Sequence, residues 1–105
     1  MRVVDCKSLK SPELQAVIVE PILLSCIDGA AIDNLVCTIQ RILPSFSYTI
    51  LKKYLFHLIN YELISYNGQE QIFVIEIGGH DLLDWIKINK IEMDIGNEDI
   101  VIALE

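Results

Sequence analysis

The sequence predicts an α+β domain in which three helices are followed by a two-stranded hairpin, a fourth helix and an acidic, apolar tail. Residues 47–66 carry most of this prediction, because a serine cap, a helical apolar pattern and a short strand follow one another there. The Asn-Gly pair at 67–68 comes next, and it is a strong signal for a two-residue hairpin turn. We divide the 105 residues into an N-terminal arm at 1–10, a domain at 11–90 and an acidic tail or additional strand at 91–105.

The first helix is expected to begin at residues 11–13, where the sequence Ser-Pro-Glu combines a cap, a proline for the first turn and an acid. Apolar residues then recur at helical spacing as far as Ile27. Pro21 falls inside this pattern, so the helix either kinks there or begins again at that point. The Asp-Gly pair at 28–29 is typical of a helix end.

The second helix is predicted over residues 30–43, and Pro44 ends it. Its expected buried residues are Ile32, Leu35, Val36, Ile39 and Leu43. Ser45 and Ser47 are both candidate caps for the third helix. Ser47 is favoured because a helix that begins there has a continuous apolar face, formed by Leu51, Leu55, Leu58 and Ile59.

Residues 63–66 and 72–77 are the predicted strands of the hairpin. The second strand is almost continuously apolar, which indicates burial on both faces, or one face covered by a partner. The Gly-Gly pair at 78–79 should break this strand. A fourth helix is expected over residues 80–90, with Leu82, Leu83 and Ile86 facing inward and Trp85 as a further candidate for that face. Two acids in its first turn suit the positive end of the helix dipole, namely Asp81 and Asp84.

The acidity of the chain is concentrated in the tail. Five acids and no base follow Lys90, whereas residues 1–90 contain ten acids and eight bases. The tail allows two interpretations: a Gly-Asn turn at 96–97 folds residues 91–95 back on 100–104, or the segment adds one strand. The net charge of −7 argues against a dedicated nucleic-acid binder, because phosphate neutralisation supplies most of the affinity of such proteins.

Several classes of protein are not expected from this sequence. No apolar run approaches the ~18 residues of a membrane span, and the N-terminus does not read as a signal peptide, so a cytoplasmic protein is expected. The three cysteines are widely spaced, so we expect no metal site. Cys26 and Cys37 are interpreted as small core residues. We expect no cofactor and no catalytic residue, because no phosphate-binding glycine loop or nucleophile motif occurs.

The predicted order of elements is that of a winged helix-turn-helix. The sequence is similar to small archaeal winged-helix transcriptional regulators in the pattern Ser47-Tyr48-x-x-Leu51-Lys52-Lys53-Tyr54-Leu55-x-x-Leu58-x-x-x-x-Leu63-Ile64-x-Tyr66. The resemblance continues through residues 79–86 and covers about 12–90. It implies a third helix that lies in the DNA major groove, a wing that touches the DNA backbone and a following helix that pairs two subunits.

The chain also departs from that family in ways that remove features suited to DNA. The second helix is longer and is followed by an extra segment at 44–46. Ile50 and Phe56 stand where the family has polar residues, and Glu62 stands where it has glycine. Gly78 replaces a lysine that often follows the wing. The wing itself has Gln-Glu-Gln at 69–71 rather than arginine or lysine.

The expected exposed face of the third helix contains Thr49, Lys52, Lys53, Phe56 and Asn60. On DNA, the lysines would contact phosphates, while Thr49 and Asn60 would lie nearest the bases. The full set of candidate DNA-binding residues is Ser45, Ser47, Tyr48, Thr49, Lys52, Lys53, Asn60, Asn67 and Gln69. The alternative is an ordinary solvated helix face, with the two serines acting as caps.

Two further surfaces follow from the sequence. The fourth helix has more apolar residues than one inward stripe needs, which favours a homodimer interface formed by Leu82, Trp85, Ile86, Ile88 and Ile91; alternatively, the C-terminal segment covers them within one chain. Ile50 and Phe56 are large apolar residues near the expected DNA face, so they indicate either a protein partner or a rotated helix that buries them. We therefore expect a dimeric DNA-binding transcription regulator, or a winged-helix module that binds protein and not DNA.

Overall fold

The computed structural model describes residues 13–93 and 101–103. Within them the fold is α+β, as predicted, with four helices and two antiparallel sheets of two strands each. The predicted arm at 1–10 lies outside the described residues. None of the described helices is long and apolar enough to cross a membrane. The elements are β1 (Glu13–Gln15), α1 (Ala16–Cys26), α2 (Ile32–Gln40), α3 (Tyr48–Asn60), β2 (Ile64–Asn67), β3 (Ile72–Ile75), α4 (Ile77–Met93) and β4 (Val101–Ala103).

The first helix begins later than its cap signal suggested. Residues 13–15 form strand β1, which pairs antiparallel with β4 and sets Leu14 opposite Ile102. The expected start at 11–13 is therefore wrong. Residues 13–15 pair with β4 as a strand, so the helix begins only at Ala16. Pro21 neither ends nor restarts the helix, since α1 runs unbroken to Cys26. Burial of most of its apolar residues offsets the hydrogen bond that proline removes.

Helix α2 begins at Ile32 and not at the expected residue 30, because the backbone of Ala30 is hydrogen-bonded to the hairpin. The backbone of Ala30 forms two hydrogen bonds with Phe73, from Ala30 N–H to Phe73 O at 3.0 Å and from Phe73 N–H to Ala30 O at 2.8 Å. Leu35 and Ile39 are fully buried, whereas the other three expected core residues of α2 are only partly buried. Cys37 is exposed, so its assignment to the core is wrong; Cys26 is buried as predicted.

Helix α3 begins as the sequence predicts. The Ser47 side-chain oxygen accepts a hydrogen bond from Ile50 N–H at 3.2 Å, which caps the helix. Its buried face consists of Leu51, Tyr54, Leu55 and Leu58. Ile59 is 39% exposed and does not belong to that face, contrary to expectation. Tyr54, which was not predicted there, belongs to the buried face instead. Its hydroxyl accepts a hydrogen bond from Gln15 N–H at 3.1 Å.

The hairpin turn is wider than predicted. Asn67 pairs with Ile72, so four residues, 68–71, form the loop instead of the two expected at 67–68. Asn67 is the last residue of β2, and its side-chain oxygen accepts hydrogen bonds from the N–H groups of Gln69 and Glu70. Gln71 adopts the left-handed conformation, with φ of 57°. An Asx turn thus replaces the type I′ turn.

The second strand of the hairpin has one buried face rather than two. Along β3, Phe73 and Ile75 are buried, while Ile72 and Val74 are half-buried. Of the two interpretations of this strand, burial on both faces is therefore wrong: buried and half-buried residues alternate along it, as in a strand that covers a core on one side.

Helix α4 starts before the glycines that were expected to separate it from the strand. It begins at Ile77, so Gly78 and Gly79 lie in its first turn. A Cβ atom on Gly79 would lie 2.3 Å from the Leu63 backbone oxygen and 2.6 Å from Ile75 Cγ1. The glycine permits close contact between α4 and the hairpin. Because the helix starts early, Asp81 and Asp84 lie beyond its first turn, and the expected interaction with the dipole end does not apply.

One apolar core joins all the elements described. The fully buried residues of α1, α3 and α4 meet there, and Ile102 of β4 is also fully buried. Lys90 Nζ forms an ion pair with Glu20 at 3.1 Å, which links α4 to α1. Residues 101–103 of the tail thus form an ordered part of the domain, as the strand paired with β1.

We expect Gly79→Ala to lower the free energy of unfolding by about 2 kcal/mol, because the new methyl group meets a backbone oxygen that cannot move aside. Urea unfolding measures the change. Gly68→Ala is the matched control, since its Cβ atom would lie 3.9 Å from the nearest atom, Tyr66 Cε2. Equal stabilities for the two variants would contradict the close contact at Gly79.

Burial raises the pKa of the Cys26 thiol from 9.0 to about 11, because a thiolate in the apolar core loses its hydration. The unfolded chain releases this proton near pH 9, whereas the folded chain keeps it until about pH 11. The stabilisation is therefore complete below pH 9 and is lost as the pH rises through this window.

Between pH 9 and about 11, we expect the unfolding free energy of the native protein to fall more steeply than that of Cys26→Ala, by about 1 kcal/mol per pH unit. Urea unfolding at several pH values gives both slopes. Cys37→Ala, which removes an exposed thiol instead of the buried one, is the matched control. A Cys26→Ala slope equal to the native one would show that this thiol does not titrate differently on unfolding.

Candidate nucleic-acid interface

Helix α3 presents a continuous solvent-exposed face. Thr49, Lys53, Phe56 and Asn60 lie along its middle, at successive helical turns, and all are exposed. Lys52 lies on one side of this line and Ile50 on the other. The structure therefore brings together the residues of α3 that the sequence analysis assigned to DNA.

Lys52 is partly ordered by an aromatic neighbour. Its Nζ atom lies 5.2 Å from the centre of the Tyr48 ring, a cation–π distance. Among the described residues, no ion pair is found for Lys52 or Lys53. Both lysines therefore present positive charge to solvent in the first half of α3.

The remaining candidate DNA-binding residues lie outside α3, and some of them have structural roles. Ser45 and Ser47 are exposed just before α3, and the Ser47 hydroxyl oxygen already accepts from Ile50 N–H. The side-chain oxygen of Asn67 holds the hairpin loop, which gives this residue a structural role. Gln69 is exposed at the tip of the loop, next to the acid Glu70. The loop thus provides polar side chains, Gln69, Glu70 and Gln71, but no positive charge.

Large apolar side chains interrupt the polar face of α3. Phe56 is 61% exposed and lies directly between the lysines and Asn60. The sequence left open whether Ile50 and Phe56 were exposed or buried by a rotated helix, and the structure shows that both are exposed. The Phe56 ring meets the half-buried His57 ring edge-on, with centroids 5.5 Å apart.

The predicted dimer interface on α4 is wrong in part. Leu82 and Ile86 are core residues of a single chain, so they cannot contact a second subunit. Trp85 is partly buried against the same core, whereas Ile88 is 51% exposed. Ile91 lies in α4, but its side chain is outside the described residues.

Two grooves, neither of which is predicted by the sequence pattern, flank the C-terminal half of α3. The α2 groove has a volume of about 450 Å³ and is lined by Ala31, Ile32, Asp33, Ile59, Tyr66, Gln71 and Phe73. The β2 groove has a volume of about 440 Å³ and is lined by Ile59, Glu62, Ile64, Ser65, Tyr66 and Glu76. Ile59 and Tyr66 line both grooves. Periodicity could not reveal them, because the lining of each groove comes from more than one helix or strand.

Comparisons with known proteins do not assign the chain to a family. No family model matches the sequence, and no curated protein matches it. Among the described residues, no group of three or more histidine, cysteine, aspartate or glutamate side chains could hold a metal ion.

The end of α3 contains a strained residue. The N–H of Leu63 bonds to Leu58 O at 2.9 Å, and the N–H of Glu62 bonds to Ile59 O at 3.0 Å, which together form a Schellman motif. Glu62 occupies its left-handed position, with φ of 61°, where glycine is favoured. The motif sets the direction in which the chain leaves α3 and enters β2.

Glu62→Gly should raise the free energy of unfolding by about 1 kcal/mol, because glycine removes the steric cost of the left-handed conformation at a smaller entropic cost. Thermal or urea unfolding measures the gain. Glu70→Gly removes the same charge from a residue without positive φ, and no gain is expected there. A gain of equal size in both variants would point to charge, rather than backbone strain, as the cause.

Proposed function

We propose that this chain is a winged-helix protein that binds double-stranded DNA through α3 and acts as a small transcription regulator. The observation that carries the proposal is the exposed face of α3, where Thr49, Lys52, Lys53 and Asn60 are presented together. The order of three helices, a hairpin and a fourth helix supports it, because winged-helix proteins place a reading helix and a wing in this order.

In the proposed complex, α3 enters the major groove. Its 13 residues span roughly 20 Å, and the groove is about 12 Å wide, which admits one helix. Lys52 and Lys53 contact phosphates, while Thr49 and Asn60 reach base edges. An asparagine amide can donate to and accept from adenine in a bidentate manner, so Asn60 is the candidate for sequence reading.

The charge distribution makes α3 responsible for most of the affinity. The chain has a net charge of −7, and the hairpin loop carries Glu70 rather than a base. Phosphate contacts must therefore come from the two lysines and from polar groups at the start of α3, such as Ser45. Such binding is weak at physiological salt, and a second subunit would strengthen it by joining two half-sites.

A dimer would have to use the exposed part of α4. Ile88 is available for such contact, and it lies on a different helix from the DNA-binding lysines. Two copies related by a two-fold axis would then present their α3 helices to half-sites about one helical turn apart.

A second candidate function is a winged-helix module that binds a protein partner through α3. The exposure of Phe56 favours it, since a phenylalanine in the middle of a helix face is costly to leave in water and is common in interface centres. Ile50 would extend the same contact. In this case, Lys52 and Lys53 would form the charged rim of a protein interface.

We expect Lys53→Glu to weaken binding to a fluorescein-labelled random duplex by about tenfold at low salt, and to reduce the salt dependence by about one counterion. Fluorescence anisotropy across a salt series measures both quantities. Lys87→Glu is the matched control: it makes the same charge change at an exposed lysine on α4, and it should alter the affinity less.

Two outcomes would count against DNA binding by α3. Equal losses for the two variants would show a general charge effect rather than contact through Lys53. Absence of binding at low salt by the folded native protein would reject the proposal in favour of the protein-binding module, because non-specific DNA binding is strongest under those conditions.

A further inference from the structure

The α2 groove is built by contacts that do not depend on a ligand. Its floor is the nearly buried Phe73, whose ring lies 4.8 Å from the ring of Tyr66. The two backbone hydrogen bonds between Ala30 and Phe73 hold the start of α2 against the hairpin. A groove with fixed walls needs little reorganisation when it binds, which favours a specific ligand.

Apolar surface is left uncovered along this groove. Ile59 is 39% exposed and Tyr66 is 50% exposed, and together they form a ridge with the α2 groove on one side and the β2 groove on the other. Ile32 and Phe73 continue the apolar lining below the ridge. An apolar side chain placed there would remove this surface from water on both partners.

The charges around the ridge all have one sign. Asp33 lines the α2 groove, while Glu62 and Glu76 line the β2 groove. The Glu76 carboxylate accepts a hydrogen bond from the Ser65 hydroxyl at 2.7 Å, which fixes its direction. Among the described residues that line the two grooves, none is basic.

The negative charge around the grooves indicates which class of molecule could bind there. Nucleic acid and anionic membrane surfaces carry negative charge and would be repelled by the three carboxylates, and a second copy of this chain has a net charge of −7. We propose that the Ile59–Tyr66 ridge and the α2 groove bind a segment of a partner protein in which a large apolar side chain lies beside lysine or arginine. The apolar side chain packs on Ile59 and Phe73, and the basic group lies against Asp33.

The proposal stands independently of DNA binding. Ile59 and Lys53 are about 120° apart around α3, given about 100° of rotation per residue. Lys53 thus points away from the groove, whereas Lys52 lies on the same side of α3 as Ile59, two helical turns before it.

The test is a titration of the isotopically labelled native chain with two blocked tripeptides, Arg-Leu-Arg and Glu-Leu-Glu, followed by methyl NMR. We expect Arg-Leu-Arg to shift the methyl signals of Ile32 and Ile59, with a dissociation constant in the millimolar range, and Glu-Leu-Glu to bind several times more weakly. Asp33→Asn should weaken Arg-Leu-Arg binding by roughly threefold, as expected for an exposed ion pair. Asp84→Asn, the control at an exposed acid of α4, should leave it unchanged.

Ile59→Ser keeps a partly exposed position of α3 but removes its apolar contact, so it should reduce binding further, with the amide spectrum reporting that the fold is retained. The proposal is overturned if neither peptide shifts these signals up to about 10 mM, or if both shift them equally. It is also overturned if Asp33→Asn and Asp84→Asn have the same effect. Lys53→Glu should leave peptide binding intact, so failure of DNA binding and failure of this proposal give different results.

Discussion

Two backbone hydrogen bonds between Ala30 and Phe73 hold the helical part of the molecule to its hairpin. They join the segment between α1 and α2 to the middle of β3, so the hairpin cannot swing independently of the helices. The α2 groove exists only because this connection brings the start of α2, the end of α3 and the hairpin close together.

The end of α3 imposes the second constraint on the same region. The reversal at Glu62 directs Leu63 back under the helix, where both Leu63 and Leu58 are buried. Gly79 then lets the first turn of α4 rest directly on the Leu63 backbone. Three elements are thus stacked on one short segment. A helix held in this way keeps its outer face fixed, which a surface that recognises DNA or protein requires.

The sequence was most informative where local interactions determine the structure. The Ser47 cap and the buried Leu51, Leu55 and Leu58 depend on neighbours within one helix, and all are found as predicted. The exposed polar residues of α3 were predictable for the same reason, since they lie on the side of the helix opposite its buried residues. The α+β class and the order of helices and hairpin follow from the same local signals.

Features that depend on distant contacts could not be predicted in this way. The residues of β1 look like a helix start until β4 pairs with them. Gly79 looks like a strand breaker, although it serves as a contact point for a helix. The Asn-Gly pair indicated a two-residue turn, but the Asn67 side chain bonds to the loop backbone and stabilises a wider one. The two grooves could not be predicted because the residues that line each of them come from different helices and strands.

The β1–β4 sheet has a consequence for the order of folding. Leu14 and Ile102 come from opposite ends of the described chain, yet they face each other in this sheet. Such a pairing has a large loop-closure cost until the helices between the two strands have packed. The sheet is therefore expected to form late, after the helices have packed. During synthesis, β1 would gain its strand partner only after β4 has left the ribosome.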